Sequence, residues 1–423
     1  MNKFLAFLLS LTLTLLSVAC KKDTEVVAPG DSKPDSQSDS PSQSAAITPV
    51  GTPVGAAITA IIGPAGGTIE SADKQIQISI PAGALSTNQT ISVQPITNEC
   101  PSGTGQAYRL TPHGLTFAKP ATITFHYTDE TVANSAPEML RVAYQSDKGH
   151  WLSPRRYALD TASHHFSVQT THFSDWTGFK NVFIYAEDKV VVPGGNMSLK
   201  VLQHIDESAP PADKDTDLIM PTVPSLLSAK YVGKWVVSAG SVAPDQNTAT
   251  FYAPSTPPVQ NPVAVTVSLN KTITVKGEVF HDIRLVLHIL VAAEGISVQI
   301  DGGAWKTYAG AIGLKPSLSI ALGRDGAETC GFAFPSDKPG TYRWSLETQV
   351  PFALNKGYIL YQHVYEQNKK VVVSGGSLRV LSVGNGWVTG VFRLEPAGWI
   401  QPNNLFDPIG TASINGVFRI RQI

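Results

Sequence analysis

The sequence predicts an all-β protein, tandem β-sandwich modules behind a short apolar leader and a polar linker. Three observations carry that expectation. Apolar and polar residues alternate in short runs, as at Ile76, Ile78, Ile80 and again at Val263, Val265, Val267, the period of a half-buried strand. Glycine and proline, 35 and 30 of 423 residues, punctuate those runs as turn formers. No long stretch keeps a helical period of apolar residues. The net charge is −1 and no basic block occurs, so nothing points to a nucleic-acid partner.

The leader comes first. Residues 1–19 hold Lys3, an uncharged Leu-rich run from Phe4 to Leu16, and the small residues Ser17 and Ala19. That order is the grammar of a secretory signal. A membrane span needs about 20 apolar residues, and charge arrives sooner, at Lys21 and Lys22, so removal is expected. Leu16-Ser17-Val18-Ala19-Cys20 resembles a bacterial lipobox. The resemblance implies cleavage before Cys20 and a diacylglycerol on its thiol, which makes the membrane a partner through that anchor. Several acyl chains hold a protein far more firmly than one. The resemblance also implies the cell envelope, on the outer membrane of a Gram-negative bacterium, facing the periplasm or the surface. Lys21-Lys22-Asp23-Thr24-Glu25 is similar to the charged tract of surface-exported lipoproteins. An ordinary secretory signal with an incidental cysteine is the alternative.

Residues 20–59 read as a linker. Asp31-Ser32-Lys33-Pro34-Asp35-Ser36-Gln37-Ser38-Asp39-Ser40-Pro41 has almost nothing apolar and cannot bury enough surface to offset its ordering entropy. The first module spans residues 60–180. Gly63-Pro64-Ala65-Gly66-Gly67 is a turn, and Pro81 ends the strand through Ile80, because proline cannot donate to a ladder. Ile91 and Val93 alternate again. Leu110, Pro112, Gly114, Phe117 and Pro120 bend the chain into Ala121-Thr122-Ile123-Thr124-Phe125.

Gly66-Gly67-Thr68, then Ile80-Pro81-Ala82-Gly83-Ala84-Leu85, then Leu110-x-Pro112-x-Gly114-x-x-Phe117-x-x-Pro120 resemble the ZU-five domain. That β-sandwich occurs in ankyrins, netrin receptors and many bacterial lipoproteins, mostly as an interaction and signalling scaffold. Some members cut themselves at a His-Phe-Ser triplet closing the domain, and His172-Phe173-Ser174 stands at the corresponding end. The resemblance implies that the Ser174 hydroxyl attacks the Phe173 carbonyl with His172 as general base, and that water then hydrolyses the ester. Such a step needs a strained peptide bond. A second copy, His165-Phe166-Ser167, lies seven residues earlier. Phe166 and Phe173 are an odd number apart and cannot share a face of one regular strand, so a bulge or turn is expected near Thr170-Thr171. The alternative, favoured here, is a plain closing strand with His and Ser on its wet face. His164, His165 and His172 lack carboxylate or cysteine companions at ligand spacing, so no metal is expected.

The second module spans residues 181–280. Its Trp235, Gly240, Tyr252-Ala253-Pro254 and Val263-x-Val265-x-Val267 resemble bacterial immunoglobulin-like domains, with Trp235 as a core residue. Asp213-Lys214-Asp215-Thr216-Asp217 hints at calcium. A calcium hand needs Gly next and Glu at its twelfth place, where Leu218 and Pro224 stand, so a solvated acidic loop is expected. The third module, residues 281–423, reads as a β-domain of unknown type. Its strands include Leu285-Leu287-Ile289, Ile296-Val298-Ile300 and a closing pair around Val391 and Val417. Trp305, Trp344, Trp387 and Trp399 could stack sugars, although large aromatics more often fill cores. Cys100 and Cys330 fall in different modules, and free thiols are expected. No phosphate loop, zinc motif or nucleophile elbow appears, so no cofactor is expected. The expected function is non-enzymatic interaction, adhesion or scaffolding toward a protein or glycan ligand. The alternatives are self-cleavage between Phe173 and Ser174, and surface glycan binding.

Overall fold

The computed structural model describes residues 45–206, 217–275, 278–401 and 410–423. The leader, Cys20, the linker up to residue 44 and residues 213–216 of the acidic loop lie outside the described residues. The fold is all-β; among the described residues the only helical turns are two three-residue 3₁₀ segments.

Two sheets form the first sandwich. One runs in the order Ile58–Ile62, Gln89–Ile96, Gly103–Thr111, Asp175–Lys180, Leu140–Gln145, Trp151–Ser153, Leu218–Ile219; the other runs Gly67–Glu70, Ile76–Ile80, Thr116–His126, His165–His172, Ala158–Asp160. Alternate residues point inward, so Ile76, Ile78, Ile80, Ile91, Val93, Ile123 and Phe125 meet in the core. The edge strand Leu218–Ile219 is lent by the following module.

Residues 45–53 also lie against this sandwich, which corrects the expectation of a free linker up to residue 59. The Ala46 N–H donates to the Met220 carbonyl at 2.7 Å and the Ala46 carbonyl accepts from the Trp151 N–H at 3.1 Å. Gln145 Nε2 donates to the Thr48 carbonyl at 2.9 Å, and Trp151 Nε1 to Thr48 Oγ1 at 2.8 Å. The physical reason is local. Ala46 is small and apolar and fits a satellite cluster with Cys100, Trp151, Phe179, Ile205 and Met220, where its backbone groups are also paired.

The second sandwich sets Val182–Ala186, Asn196–Gln203, Thr248–Tyr252 and Ser241–Asp245 against Val190–Val191, Arg284–Val291, Val263–Leu269 and Val232–Val237. Trp235 is buried. Arg284–Val291 belongs here, not to the third module, which moves the expected boundary at residue 280. Leu285, Leu287 and Ile289 pair with Val267, Val265 and Val263, so their inward faces are filled by this sandwich. One continuous buried cluster runs from Ile62 to Val291, so the two sandwiches share a core.

The third module is not a sandwich. Gly295–Ile300, Lys306–Gly313, Ser319–Asp325, Glu328–Phe334, Phe352–Lys356, Ile359–Gln362, Trp387–Ile400 and Gly410–Gln422 pair in a closed ring of eight. Gly375–Gly384 and Gly340–Arg343 extend it from the first half of Trp387–Ile400. Closure follows from the strands themselves. Trp387–Ile400 has 14 residues and bulges between Leu394 and Ala397, and bulges curl a sheet. Gly416 lets the Phe392 ring lie where a Cβ would stand 2.0 Å from it. Phe332, Phe352, Phe392 and Phe418 fill a core separate from that of the sandwiches. Cys100 and Cys330 are both free and buried.

Candidate functional site

Strand His165–His172 belongs to one sheet of the first sandwich and Asp175–Lys180 to the other. Phe173 and Ser174 are therefore the crossing between sheets. The register against Thr116–His126 slips between Thr170 and His172, where the spacing of the two phenylalanines called for an irregularity. The slip lets both rings turn inward. Phe166 stacks on Phe125 at 5.6 Å, and Phe173 sets its edge against Phe117 at 4.9 Å.

The crossing is held from several sides. The Phe173 N–H donates to the Leu115 carbonyl at 3.2 Å, and the Phe173 carbonyl accepts from the Gly114 N–H at 3.3 Å. The Ser174 carbonyl accepts from the Leu110 N–H at 3.1 Å. Asp175 takes a two-pronged contact from Arg109, Nε to Oδ1 at 2.9 Å and Nη2 to Oδ2 at 2.7 Å. Such forked pairs fix geometry as well as charge.

The chemistry-bearing side chains of the triplet face different partners. Ser174 is buried, and its hydroxyl donates to the Gln145 carbonyl. His172 is half-buried; its Nδ1 lies 3.3 Å from Thr170 Oγ1, and its ring sits 4.8 Å from Tyr144 and 5.7 Å from Trp176. Burial lowers the His172 pKa, partly offset by Asp217 and Asp147, so the neutral imidazole is favoured. A neutral imidazole can act as a base, but a nucleophile and its base must be within hydrogen-bond reach. Here the Ser174 hydroxyl is bonded to the Gln145 carbonyl, and His172 Nδ1 lies against Thr170 Oγ1. The left-handed backbone lies at His164, with φ 54°, in the turn before the earlier copy of the triplet.

His164, His165 and His172 are not gathered. His164 stacks on Tyr127 at 5.3 Å, His165 packs edge-on to His126 at 5.8 Å, and His172 is at the far end of the strand. The four tryptophans are likewise dispersed, which corrects the idea of one stacking platform. Trp344 is in the barrel core, its Nε1–H donating to the Arg393 carbonyl at 2.7 Å. Trp387 and Trp399 stand near opposite ends of one strand. Trp305 borders a cleft of about 310 Å³ and Trp387 another of about 940 Å³.

Sequence reading missed Arg109 and Gln145, the two groups that clamp Asp175 and Ser174. Neither sits in a motif, and each reaches the crossing only through sheet pairing. No protein-family model matches the chain, and a comparison with curated proteins returns no match.

Proposed function

We propose that this chain is a lipid-anchored protein of the bacterial cell envelope whose folded part is a non-enzymatic binding scaffold. The anchor half of the reading rests on the lipobox-like residues Leu16 to Cys20. The scaffold half rests on one observation above all: the Ser174 hydroxyl is committed to Gln145 while the His172 ring packs on Tyr144 and Trp176. That arrangement supports the ZU-five-like module as a rigid support.

Self-cleavage is the second reading, favoured by the position of Phe173-Ser174 at the two-residue step between the strands His165–His172 and Asp175–Lys180, which belong to different sheets. Its product would stay assembled, because Asp175–Lys180 lies between Gly103–Thr111 and Leu140–Gln145 of the other fragment. Two measurements on one preparation test both readings. Radiolabelled palmitate enters the wild type and not Cys20→Ser; equal labelling of the two sinks the anchor. A denaturing gel gives one full-length band for wild type and Ser174→Ala alike. Two bands in the wild type that merge in the variant establish cleavage instead.

A further inference from the structure

We propose that the larger cleft between the second sandwich and the barrel binds a neutral glycan, with Trp387, Val191, Met197 and Val383 as its apolar lining. This names the partner class for the scaffold above and rests on that reading.

The joint between these modules is a small apolar patch. Leu290 and Ala292 of the sandwich are buried with Val417 of the barrel, and Val190, Trp305, Leu381 and Val391 pack around them. Beside this patch opens a cleft of about 940 Å³, at the upper end of what small-molecule sites fill, and module junctions are where such sites concentrate. The sandwich contributes Glu187, Asn196 and Ser198; the barrel contributes Trp387, Thr389 and Arg419.

The chemistry of these walls selects the occupant. A carboxylate, an amide, hydroxyls and a guanidinium share the lining with one indole and with Val191, Met197 and Val383. A purely apolar ligand would leave those polar groups without partners, at a cost in free energy for each. A polyanion would meet Glu187 and the neighbouring Asp188, and a polycation would meet Arg419. A sugar ring answers both halves of the wall: its hydroxyls donate and accept, and its C–H groups lie against Val191, Met197, Val383 and the edge of the guanidinium-stacked indole.

The indole is held in place before any ligand arrives. Trp387 follows the turn residues Asn385 and Gly386, at φ 52° and 76°, the left-handed pair of a tight two-residue hairpin. The guanidinium carbons of Arg419 and Arg421 each lie 4.6 Å from its ring centre. Arg421 is tied to Glu294 at 3.2 Å. In the cleft wall, Ser382 and Thr389 share a hydroxyl–hydroxyl bond of 2.6 Å. Side chains already fixed lose less entropy on binding.

The test is native affinity electrophoresis of the full chain in mild detergent. Gels contain starch, xylan, galactomannan, yeast mannan or mixed-linkage β-glucan, with polygalacturonate as the acidic comparison. The wild type is expected to be retarded by at least one neutral polymer. Trp387→Ala should weaken that retention about tenfold or more, the scale of a central aromatic contact, and Glu187→Ala should weaken it too. Tyr358→Ala, an exposed aromatic outside the cleft, should not change it. Thermal melting checks folding; if Trp387→Ala melts early, the exposed Glu187 decides. The proposal is overturned if no neutral polymer retards the wild type, if only polygalacturonate does, or if both cleft variants bind as well as wild type. A failed anchor would appear in palmitate labelling alone and leave these gels unchanged.

Discussion

His204 gives the joint between the two sandwiches a measurable signature. The residue is 3% exposed, between the rings of Phe179 at 6.4 Å and Phe183 at 5.9 Å. Its Nε2 lies 2.6 Å from Ser102 Oγ, while Nδ1 is buried without a hydrogen-bond partner among the described residues. Burial drives its pKa down from 6.5 to about 4, the nearby Pro221 carbonyl offsetting a part. Each pKa unit corresponds to about 1.4 kcal/mol, so the protonation of this one group carries about 3 kcal/mol. The folded pKa lies below the unfolded one, so between pH 6.5 and 4 the unfolded chain binds more protons. The stabilisation is whole above pH 6.5 and drains away as the pH falls toward 4. Burial also lowers the pKa of His172 and His363, so the wild type alone does not isolate His204. His204→Gln does, because an amide nitrogen can still reach Ser102 and does not titrate. Urea unfolding followed by tryptophan fluorescence at pH 7.5, 6.5, 5.5 and 4.5 should show the wild type losing stability on the variant by up to about 3 kcal/mol. Parallel curves for the two proteins would refute the buried, uncharged imidazole.

Gly416→Ala should lower the melting temperature of the barrel. Its Cβ would stand 2.0 Å from the buried Phe392 ring, an overpacking that costs about 1–3 kcal/mol. The separate apolar cores predict two unfolding units in calorimetry: Phe332→Leu should shift only the barrel's transition and Val201→Ala only that of the fused sandwiches. A single transition moved equally by both changes would contradict that division.

Strand existence was readable because alternation is local. Ile76, Ile78, Ile80 and Val263, Val265, Val267 announce a buried face whatever they pair with. Partners are another matter. Leu285, Leu287 and Ile289 carry the same pattern, yet nothing in it says that they complete the sandwich before them. Closure of the barrel depends on Ile296 meeting Phe418 from the far end of the module, and period-two alternation is identical in open and closed sheets. The start of the folded part did leave a trace. Ala45-Ala46-Ile47 is apolar where Asp31 to Pro41 is not, but the slot that receives Ala46 is built by Trp151 and Met220, far along the chain.

The doubled triplet shows why a motif underdetermines its site. His165-Phe166-Ser167 and His172-Phe173-Ser174 are the same three letters. The first copy sits inside a regular ladder, Phe166 opposite Phe125 and Ser167 opposite Thr124. The second begins after the register slip, on His172 at the end of the strand, and crosses to the other sheet. Odd spacing between the phenylalanines announced that difference, since both rings are large and apolar and both must be buried. What the spacing could not announce is the acceptor of the Ser174 hydroxyl. Gln145 belongs to a strand of the opposite sheet, and Asp175 pairs with it directly. The chemistry open to the triplet is thus decided by the strand that Asp175 joins. Any change that loosens Asp175 from Arg109 acts on Ser174 through one peptide unit, without touching the triplet itself.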